Sequence, residues 1–297
     1  MPELPEVETI RRQLAPLAEG RELVSLDVHD PRWCAPAPPR EVAAAVAGRR
    51  VERLWRRGKY LSWELEDDVF LVMHLRMTGN LLVAEASQGP QLRPHERVRI
   101  ELEGGSRVLF CDPRRFGTGV VLLGHDAHED FYAARLGVEP LSAEFTADAL
   151  RAIAKGRRTP VKAFLLSQER LAGVGNIYAD EALFRARIHP LRPVGALSRA
   201  QISALRDAVV ESLQAGIDAR GATIDDFRHA DGARGSFQDS FLVHRREGEP
   251  CPRCGAEVAK LRAAGRGTYV CERCQPRVRN NARDVRVSPM ARAAKRK

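Results

Sequence analysis

Four cysteines near the C-terminus carry the most specific spacing in the chain. Cys251 and Cys254 form one C-x2-C pair, sixteen residues follow, and Cys271 and Cys274 form a second pair. Two such pairs, each before a turn, can converge four thiolates on one tetrahedral Zn²⁺ and leave no open coordination position. Two disulfides are the alternative, but they require an oxidising compartment, and the acidic N-terminus does not look like an export signal. The spacing therefore predicts one structural zinc ion.

A glycine-rich turn, Gly173-Val174-Gly175-Asn176, is a second candidate site. Glycines let backbone N–H groups approach an anion closely, and Asn176 is suited to cap the helix predicted over 177–187, whose N-terminus favours phosphate. An ordinary turn of a helical hairpin would have the same sequence, so both interpretations stay open. The surrounding segment, 151–200, has a net charge of +7, which favours binding to a phosphate backbone.

The charge distribution supports a polyanionic partner. The chain has 297 residues and a net charge of +9, divided into −5 over 1–150, +7 over 151–200, −3 over 201–240 and +10 over 241–297. No apolar run approaches the ~18 residues that a membrane span needs. Only six of the 48 basic residues are lysines. A lysine such as Lys59, in a chain that otherwise uses arginine, indicates a need for a small, titratable amine.

The secondary structure that must position these groups is predicted to change from mainly strands to helices near residue 140. Val7, Ile10 and Leu14 recur at helical spacing after Pro5, and short strand-length stretches follow, including Val24/Leu26/Val28, which predicts a sandwich or barrel. Further on, helices are predicted over 145–154, 161–171, 177–187 and 199–219, the last with a capping box from Ser198 to Gln201. An irregular loop over 219–235 separates them from the cysteine module, and a basic tail is predicted to be disordered.

Several motifs together resemble the formamidopyrimidine-DNA glycosylase/endonuclease VIII family. In the family's order, they are PELPEVE at 2–8, RGKY at 57–60, HLRMTG at 74–79, DPRRFG at 112–117, GVGNIYADE at 173–181 and the four-cysteine finger. The resemblance covers residues 1 to about 276, and the opening is similar to the formamidopyrimidine branch. It implies an α+β fold: an N-terminal β-sandwich domain with flanking helices (1–138), a helix–two-turns–helix domain with a base-capping loop (139–240), a zinc-finger β-hairpin (241–276) and a basic disordered tail (277–297).

The family resemblance implies a function in base excision repair. The expected enzyme is a bifunctional DNA glycosylase/abasic-site lyase that excises oxidised purines, namely 8-oxoguanine and formamidopyrimidines, and then cleaves the strand by β,δ-elimination. Two alternatives stay open: an endonuclease VIII-like glycosylase for oxidised pyrimidines, and a non-catalytic protein that binds lesions in DNA. The expected partner is damaged double-stranded DNA, with no membrane and no nucleotide cofactor. A monomer in the cytoplasm of a bacterial-type cell, associated with the nucleoid through DNA, is expected.

The resemblance also implies the catalytic residues. A glycosylase that cuts the strand needs an amine that attacks C1′ and forms an iminium, an electron sink for elimination. A terminal amine titrates near ~7.7–8.0, against ~10.4 for lysine, so more of it is neutral at pH 7. Pro2 qualifies once the initiator methionine is removed. The remaining assignments are Glu3 to protonate the deoxyribose ring oxygen, Glu6 to support Glu3, Lys59 to assist β-elimination and Arg266 to assist δ-elimination.

Other positions that match the family are expected to contact the DNA or to fill the gap left by an extruded nucleotide. Extruding a nucleotide leaves a gap in the stack, which the family fills with the residues matched by Met77, Arg114 and Phe116. The positions that match DNA contacts are His95, Arg114, Arg157, Lys162 and Asn176. Residues 219–237 resemble the loop that closes over the extruded base.

The sequence departs from the family pattern at two places. His244-Arg245 stands where the family usually has Tyr-Gly, and Pro94-His95-Glu96-Arg97 replaces the usual Lys-His-x-His. Both departures bear on the DNA contacts and on lesion preference.

Overall fold

The computed structural model describes residues 2–85, 87, 91–224 and 228–277. The predicted tail, from residue 278 onward, and positions 225–227 of the capping loop lie outside the described residues. Within the described part, the helices are α1 (Leu4–Ala18), α2 (Pro39–Val46), α3 (His125–Ala133), α4 (Ala147–Ala154), α5 (Val161–Leu166), α6 (Asn176–Arg185) and α7 (Arg199–Asp218). The strands are β1 (Glu22–Val28), β2 (Arg49–Arg57), β3 (Tyr60–Leu65), β4 (Val69–His74), β5 (Asn80–Ala84), β6 (Glu96–Leu102), β7 (Arg107–Cys111), β8 (Thr118–Leu123), β9 (Ala259–Ala263) and β10 (Arg266–Val270).

The first eight strands form one antiparallel sheet in the order β5-β7-β6-β1-β2-β3-β4-β8. Strands β1 and β2 pair at only two residue positions, so two four-stranded halves meet there. Both halves contribute to one core, with Leu26 and Ile100 from one half and Trp63 and Leu71 from the other. The sheet is therefore a sandwich with open edges at β5 and β8, as the family resemblance implies, and not a closed barrel.

Two details of the sandwich differ from the predicted pattern. Val24 is 44% exposed, because the register shifts between Leu23 and Ser25 and turns Leu23 inward in its place. Strand β4 is buried along its whole length. One face of β4 contacts the sandwich core, and the other, with Phe70, packs against Tyr132 of α3, a helix that the sequence pattern did not reveal.

The helical half has its own core, and its helices follow the predicted spacing with shorter ends. Ser198 and Gln201 form the predicted capping box of α7. The helix predicted from residue 145 begins at Ala147, because Thr146 accepts the backbone N–H of Ala149 and acts as the N-cap. The helix predicted over 161–171 ends at Leu166. After it, Gln168 bonds to the backbone of the glycine turn.

Helix α1 joins the two halves. Leu4 belongs to the core of the helical half, whereas Val7, Ile10 and Leu14 belong to the sandwich core. The first turn of α1 is therefore clamped between the halves, which fixes the start of the chain at their junction. Among the described residues, no helix is long and apolar enough to cross a membrane.

Candidate active site between the sandwich, helices and finger

A cavity of about 400 Å³ lies where the start of α1, the sandwich, the helical half and the finger hairpin β9–β10 meet. Six of the residues predicted to act on DNA line this cavity: Pro2, Glu3, Met77, Arg114, Asn176 and Arg266. The fold therefore brings together groups from both ends of the sequence. The lining of the cavity does not include the other predicted residues, which are Lys59, His95, Phe116, Arg157 and Lys162.

Glu3 is held in the cavity wall by backbone groups of another domain. Its side chain is almost completely buried, and its Oε1 accepts the N–H of Ile177, in the first turn of α6, at 3.0 Å. A helix N-terminus stabilises negative charge through its free N–H groups and its dipole. Within the protein, the anion at this helix N-terminus is the Glu3 carboxylate, which comes from the other end of the sequence.

The glycine turn allows this approach. A Cβ on Gly175 would lie 2.2 Å from Cδ of Glu3, and a Cβ on Gly173 would lie 2.6 Å from Cδ1 of Leu4. Gly173 also has φ +84°, a conformation that glycine adopts without strain. The prediction that Asn176 caps the helix is wrong. Gly175 occupies the N-cap position, and Nδ2 of Asn176 donates to the carbonyl of Gly267 in the finger at 3.1 Å.

Glu6 links three parts of the site. Its carboxylate accepts the backbone N–H of Glu3 at 2.8 Å, the hydroxyl of Tyr178 at 2.7 Å and the N–H of Ala222 at 2.7 Å. Burial raises the pKa of Glu6 above its ordinary value, and the neighbouring Glu3 carboxylate raises it further. Glu6 thus supports Glu3 and joins the start of α1 both to α6 and to the loop predicted to cap the base.

Lys59 lies buried in the turn between β2 and β3. Burial lowers its pKa below the ordinary lysine value, and the attraction of Glu3 opposes that shift. The turn is fixed by Glu139, whose carboxylate accepts the Gly58 N–H at 2.8 Å and pairs with Arg56 at 2.7 Å. This arrangement holds an amine that deprotonates more readily than an ordinary lysine.

The predicted void-filling residues lie exposed on two adjacent loops. Met77 and Phe116 are 36% and 51% exposed, and the Arg114 guanidinium lies 4.8 Å from the centre of the Phe116 ring. Asp112 is buried beneath them. Its carboxylate accepts the backbone N–H groups of Phe116 at 2.8 Å and Arg114 at 3.2 Å, together with the Thr78 hydroxyl. Exposed apolar groups on such a fixed support are suited to insertion into a base stack.

The structure does not support the predicted DNA contact at Lys162. Its side chain is 0% exposed, and Nζ donates to Asp180 at 2.6 Å, to the Thr268 hydroxyl at 2.8 Å and to the Gly267 carbonyl at 3.2 Å. All three ammonium protons are therefore used inside the protein. Lys162 instead fastens the finger hairpin to α5 and α6.

The predicted DNA contacts His95 and Arg157 keep exposed side chains, as does Arg266, which is predicted to assist δ-elimination. His95 lies exposed before β6, and Arg157 lies exposed just after α4, where its Nε donates to the Ile153 carbonyl at 2.6 Å. Arg266 begins β10 and lines the cavity. These cationic or polar groups are open to an approaching phosphate backbone.

The four cysteines fit a tetrahedral zinc ion. Their sulfur atoms all lie within 4.8 Å of one another, with Cys251 to Cys274 at 3.9 Å and Cys254 to Cys271 at 3.5 Å. Zn–S bonds of about 2.3 Å in a tetrahedron place sulfur atoms roughly 3.8 Å apart. The finger thus holds one structural zinc, which would fix the hairpin that carries Arg266.

Two acidic residues that sequence reasoning missed organise the approach to the finger. Glu181 accepts the successive backbone N–H groups of Leu242, Val243 and His244 at about 3.0 Å. Asp180 accepts from Lys162 and contacts Nδ1 of His244 at 2.9 Å. Both belong to the GVGNIYADE motif, but their partners Leu242, Val243 and His244 lie about 60 positions away, which hid these contacts.

A β-sandwich and a zinc-bearing helical half, with a buried carboxylate at the chain start between them, form the architecture of a DNA glycosylase. Family models match in succession: the formamidopyrimidine-DNA glycosylase N-terminal domain over residues 1–119, its H2TH domain over 136–228, and the zinc finger found in FPG and IleRS over 248–277. The chain belongs to the formamidopyrimidine-DNA glycosylase family, and it is a DNA glycosylase of base excision repair.

Individual relatives resemble the chain over nearly its whole length. A formamidopyrimidine-DNA glycosylase of Ruegeria pomeroyi is 44% identical over 285 residues, which cover 93% of this chain and 100% of the relative. The crystal structure of the MutM (Fpg) protein of Thermus thermophilus has a TM-score of 0.82 at 42% identity and covers 92% of this chain and 98% of its own. Lactococcus lactis Fpg, in complex with DNA containing an abasic site, has a TM-score of 0.85 at 34% identity and covers 93% and 100%.

Proposed function

We propose that this glycosylase excises oxidised purines through a Schiff base on Pro2 and then cleaves the strand. One observation carries the proposal: Pro2 and Glu3 lie in the same cavity wall, and the Glu3 carboxylate is fixed by the N-terminus of α6. A nucleophile and an acid at adjacent positions on a clamped helix turn can act on one sugar.

The first chemical stage joins the protein to the sugar. After removal of the initiator methionine, the neutral Pro2 nitrogen attacks C1′; the N–C1′ bond forms as the glycosidic bond breaks, and the base leaves as an anion that takes a proton from water. The Glu3 carboxylate accepts the proton that the Pro2 nitrogen carries after the attack and passes it to the ring oxygen, the C1′–O4′ bond opens, and a cationic iminium remains on C1′. The secondary amine of proline keeps this iminium positively charged, so it can serve as an electron sink.

The second stage cleaves the strand. Loss of a C2′ proton to a nearby base expels the 3′ phosphate, and a further elimination expels the 5′ phosphate. Lys59, whose pKa is lowered by burial, is assigned to assist the first elimination. Arg266, at the cavity wall on the finger, is assigned to stabilise the leaving phosphate in the second.

Met77, Arg114 and Phe116 are assigned to fill the gap left by the extruded nucleotide. The loop over 219–237 is assigned to cover that nucleotide, and the bond from the Ala222 N–H to the Glu6 carboxylate supports this assignment. His95, Arg157 and Asn176 are proposed DNA contacts. The domain boundaries at 138, 240 and 276 are proposed on the same grounds, as is action on DNA inside a bacterial cell.

Oxidised pyrimidines are a second candidate substrate class, which is supported by the DNA complexes of a relative. Complexes of Lactococcus lactis Fpg hold DNA containing Fapy-dG in one case and an oxidised pyrimidine in another. Single-turnover excision of 8-oxoguanine, formamidopyrimidine and thymine glycol from matched duplexes tests the proposal. We expect the two purine lesions to be excised faster. Faster excision of thymine glycol would assign the chain to oxidised pyrimidines, and binding without excision would make it a lesion-binding protein.

A further inference from the structure

One segment of the capping loop packs against the sandwich. In this docked segment (228–233), Ala230 is 2% exposed and belongs to the sandwich core. Its carbonyl accepts the N–H of Val83 in β5 at 2.7 Å, and its N–H donates to Gln13 of α1 at 2.9 Å. The Gln13 amide also donates to Asp231 at 3.1 Å. The loop is therefore attached to the sandwich, although it begins at the end of α7.

The base of the capping loop is attached separately, to the start of the chain and to itself. The Ala222 N–H donates to the Glu6 carboxylate. The Thr223 N–H donates to Gln238 at 2.8 Å, and the Thr223 hydroxyl accepts the Gly235 N–H at 2.9 Å. The loop is thus held at two places, beside the cavity by its base and on the sandwich by the docked segment.

Asn80 joins the docked segment to the loop that carries Met77. It is the first residue of β5, its side chain is buried, and it directly follows the β4–β5 loop (75–79). Its Oδ1 accepts the Arg228 N–H at 2.8 Å, and its Nδ2 donates to the Thr78 carbonyl at 3.2 Å. One side chain thus bonds to two loops, one from each half of the molecule.

The amide group suits this position because it is a donor and an acceptor at once. A carboxylate could accept the Arg228 N–H, but its second oxygen would face the Thr78 carbonyl oxygen with no hydrogen between them. The Thr78 hydroxyl is bonded to Asp112, which also holds the backbone of Arg114 and Phe116. The support of the predicted gap-filling residues and the docked segment therefore belong to one network of hydrogen bonds.

We propose that Asn80 is a positioning residue that links gap filling by Met77 to the hold of the capping loop on the extruded base. The inference rests on the proposed function, which assigns gap filling to Met77 and the covering of the nucleotide to the capping loop. The bonds that form the link all lie within the described residues. Because the link acts on the base, it should matter for excision and not for cleavage at a site that has already lost its base.

A comparison of two reactions of one variant tests this link. Single-turnover excision of 8-oxoguanine requires a held base, whereas strand cleavage at a preformed abasic site in the same duplex does not. Asn80→Ala removes two hydrogen bonds, so it is expected to slow excision by about tenfold and cleavage at the abasic site by less than about twofold. A merely structural loss would slow both reactions alike.

Two further variants separate the link from general destabilisation. Asn80→Asp keeps the size of the side chain and an acceptor for Arg228, but its carboxylate cannot donate to Thr78. The same selective loss of excision is expected. Gln214→Ala, at a residue whose amide donates to Asp218 within α7, is the control and should keep both rates.

A double-variant cycle tests the link to Met77 itself. If Asn80 transmits gap filling, Met77→Ala should slow excision by a smaller factor in Asn80→Ala than in the wild-type protein. Independent losses that multiply, unchanged excision in folded Asn80→Ala, or equal slowing of both reactions would overturn the inference. Failure of the wild-type protein to excise 8-oxoguanine would instead refute the proposed function.

Discussion

The sandwich and the helical half with its finger contribute to one cavity in different ways. From the sandwich come exposed side chains on loops, Met77 and Arg114. The helical half and the finger also contribute fixed backbone groups. The N–H groups of Ile177 and Ala222 donate to the carboxylates of Glu3 and Glu6, respectively. The Gly267 carbonyl accepts from the Asn176 side chain. The reactive groups at the chain start are therefore positioned largely by residues more than 170 positions away.

The two regions also differ in charge. Residues 1–150 have a net charge of −5, whereas the segments 151–200 and 241–297 have net charges of +7 and +10. Part of the second figure belongs to residues 278–297, outside the described structure. This contrast predicts that changes at the start of the chain, at Pro2 and Glu3, affect excision more than binding, and that changes in the exposed basic residues of 151–200 affect binding more than excision.

The largest effect is expected from Glu3→Gln. The amide can still accept the Ile177 N–H, but it cannot supply a proton to the sugar. Loss of general acid catalysis typically costs about 10²–10⁴-fold, so single-turnover excision should fall by that factor with DNA affinity unchanged. Glu8→Gln, on the same helix but paired with Arg11 and Arg12, is the control and should excise normally. Normal excision by Glu3→Gln would contradict its assigned role.

Gly175→Ala tests whether the helical half acts on the chemistry through Glu3. The backbone of Gly175 has φ −126°, which alanine accepts, and the three atoms nearest to the added Cβ all belong to the Glu3 carboxyl group. A misplacement of about 1 Å can cost about 10²-fold, and we expect a loss of that order in excision with little change in melting temperature. The double variant with Glu3→Gln should lose no more than Glu3→Gln alone. An additive loss would show that the glycine acts by another route.

Removal of zinc should weaken DNA binding, whereas the two substitutions above should slow excision. The hairpin is fastened to the helical half through Lys162 and Asn176, and the zinc ligands lie at its base. Chelation should weaken binding to lesion duplexes by at least about tenfold while the circular dichroism melt of the sandwich changes little. Unchanged affinity in metal-free protein would mean that the finger does not take part in binding.

The smallest effect on activity is expected from substitution of Arg157 or of Lys162, two basic residues for which the sequence predicted the same role in DNA binding. Arg157→Ala should lower the slope of log affinity against log salt concentration by about one, because it removes one phosphate contact. Lys162→Met should leave that slope unchanged and lower the melting temperature, because it removes the ammonium partner of the buried Asp180 carboxylate. The opposite assignment of the two effects would mean that Lys162 reaches the DNA.

The motifs predicted most of the site because they record local chemistry. Cysteine spacing was sufficient for the zinc site, and the resemblance carried by the PELPE opening predicted Pro2 and Glu3, which line the cavity. The partners that fix these residues were not predictable in the same way. Asp112, Asp180 and Glu181 look like ordinary motif or surface acids until the fold brings them beside loops and helices that come from elsewhere in the chain.

Lys162 and Asn176 show a related limit. Lys162 lies in a basic segment and Asn176 in a glycine-rich turn, and both contexts indicate phosphate binding. In the fold, however, the Lys162 ammonium and the Asn176 amide nitrogen bond to the finger. Burial, which is decided by long-range packing, determines whether a cation faces DNA or a carboxylate. Helix α3 escaped detection for a similar reason, since its packing partner Phe70 lies on the outer face of a strand that is buried on both sides.

The central claim is that the amine at the start of the chain, and not a lysine, attacks the sugar. Borohydride reduction during reaction with an 8-oxoguanine duplex, followed by protease digestion and mass spectrometry of the cross-linked peptide, tests it most directly. The account predicts a covalent adduct on Pro2 of protein that has lost its initiator methionine. An adduct on Lys59, or no adduct with protein whose processed N-terminus is verified, would contradict it.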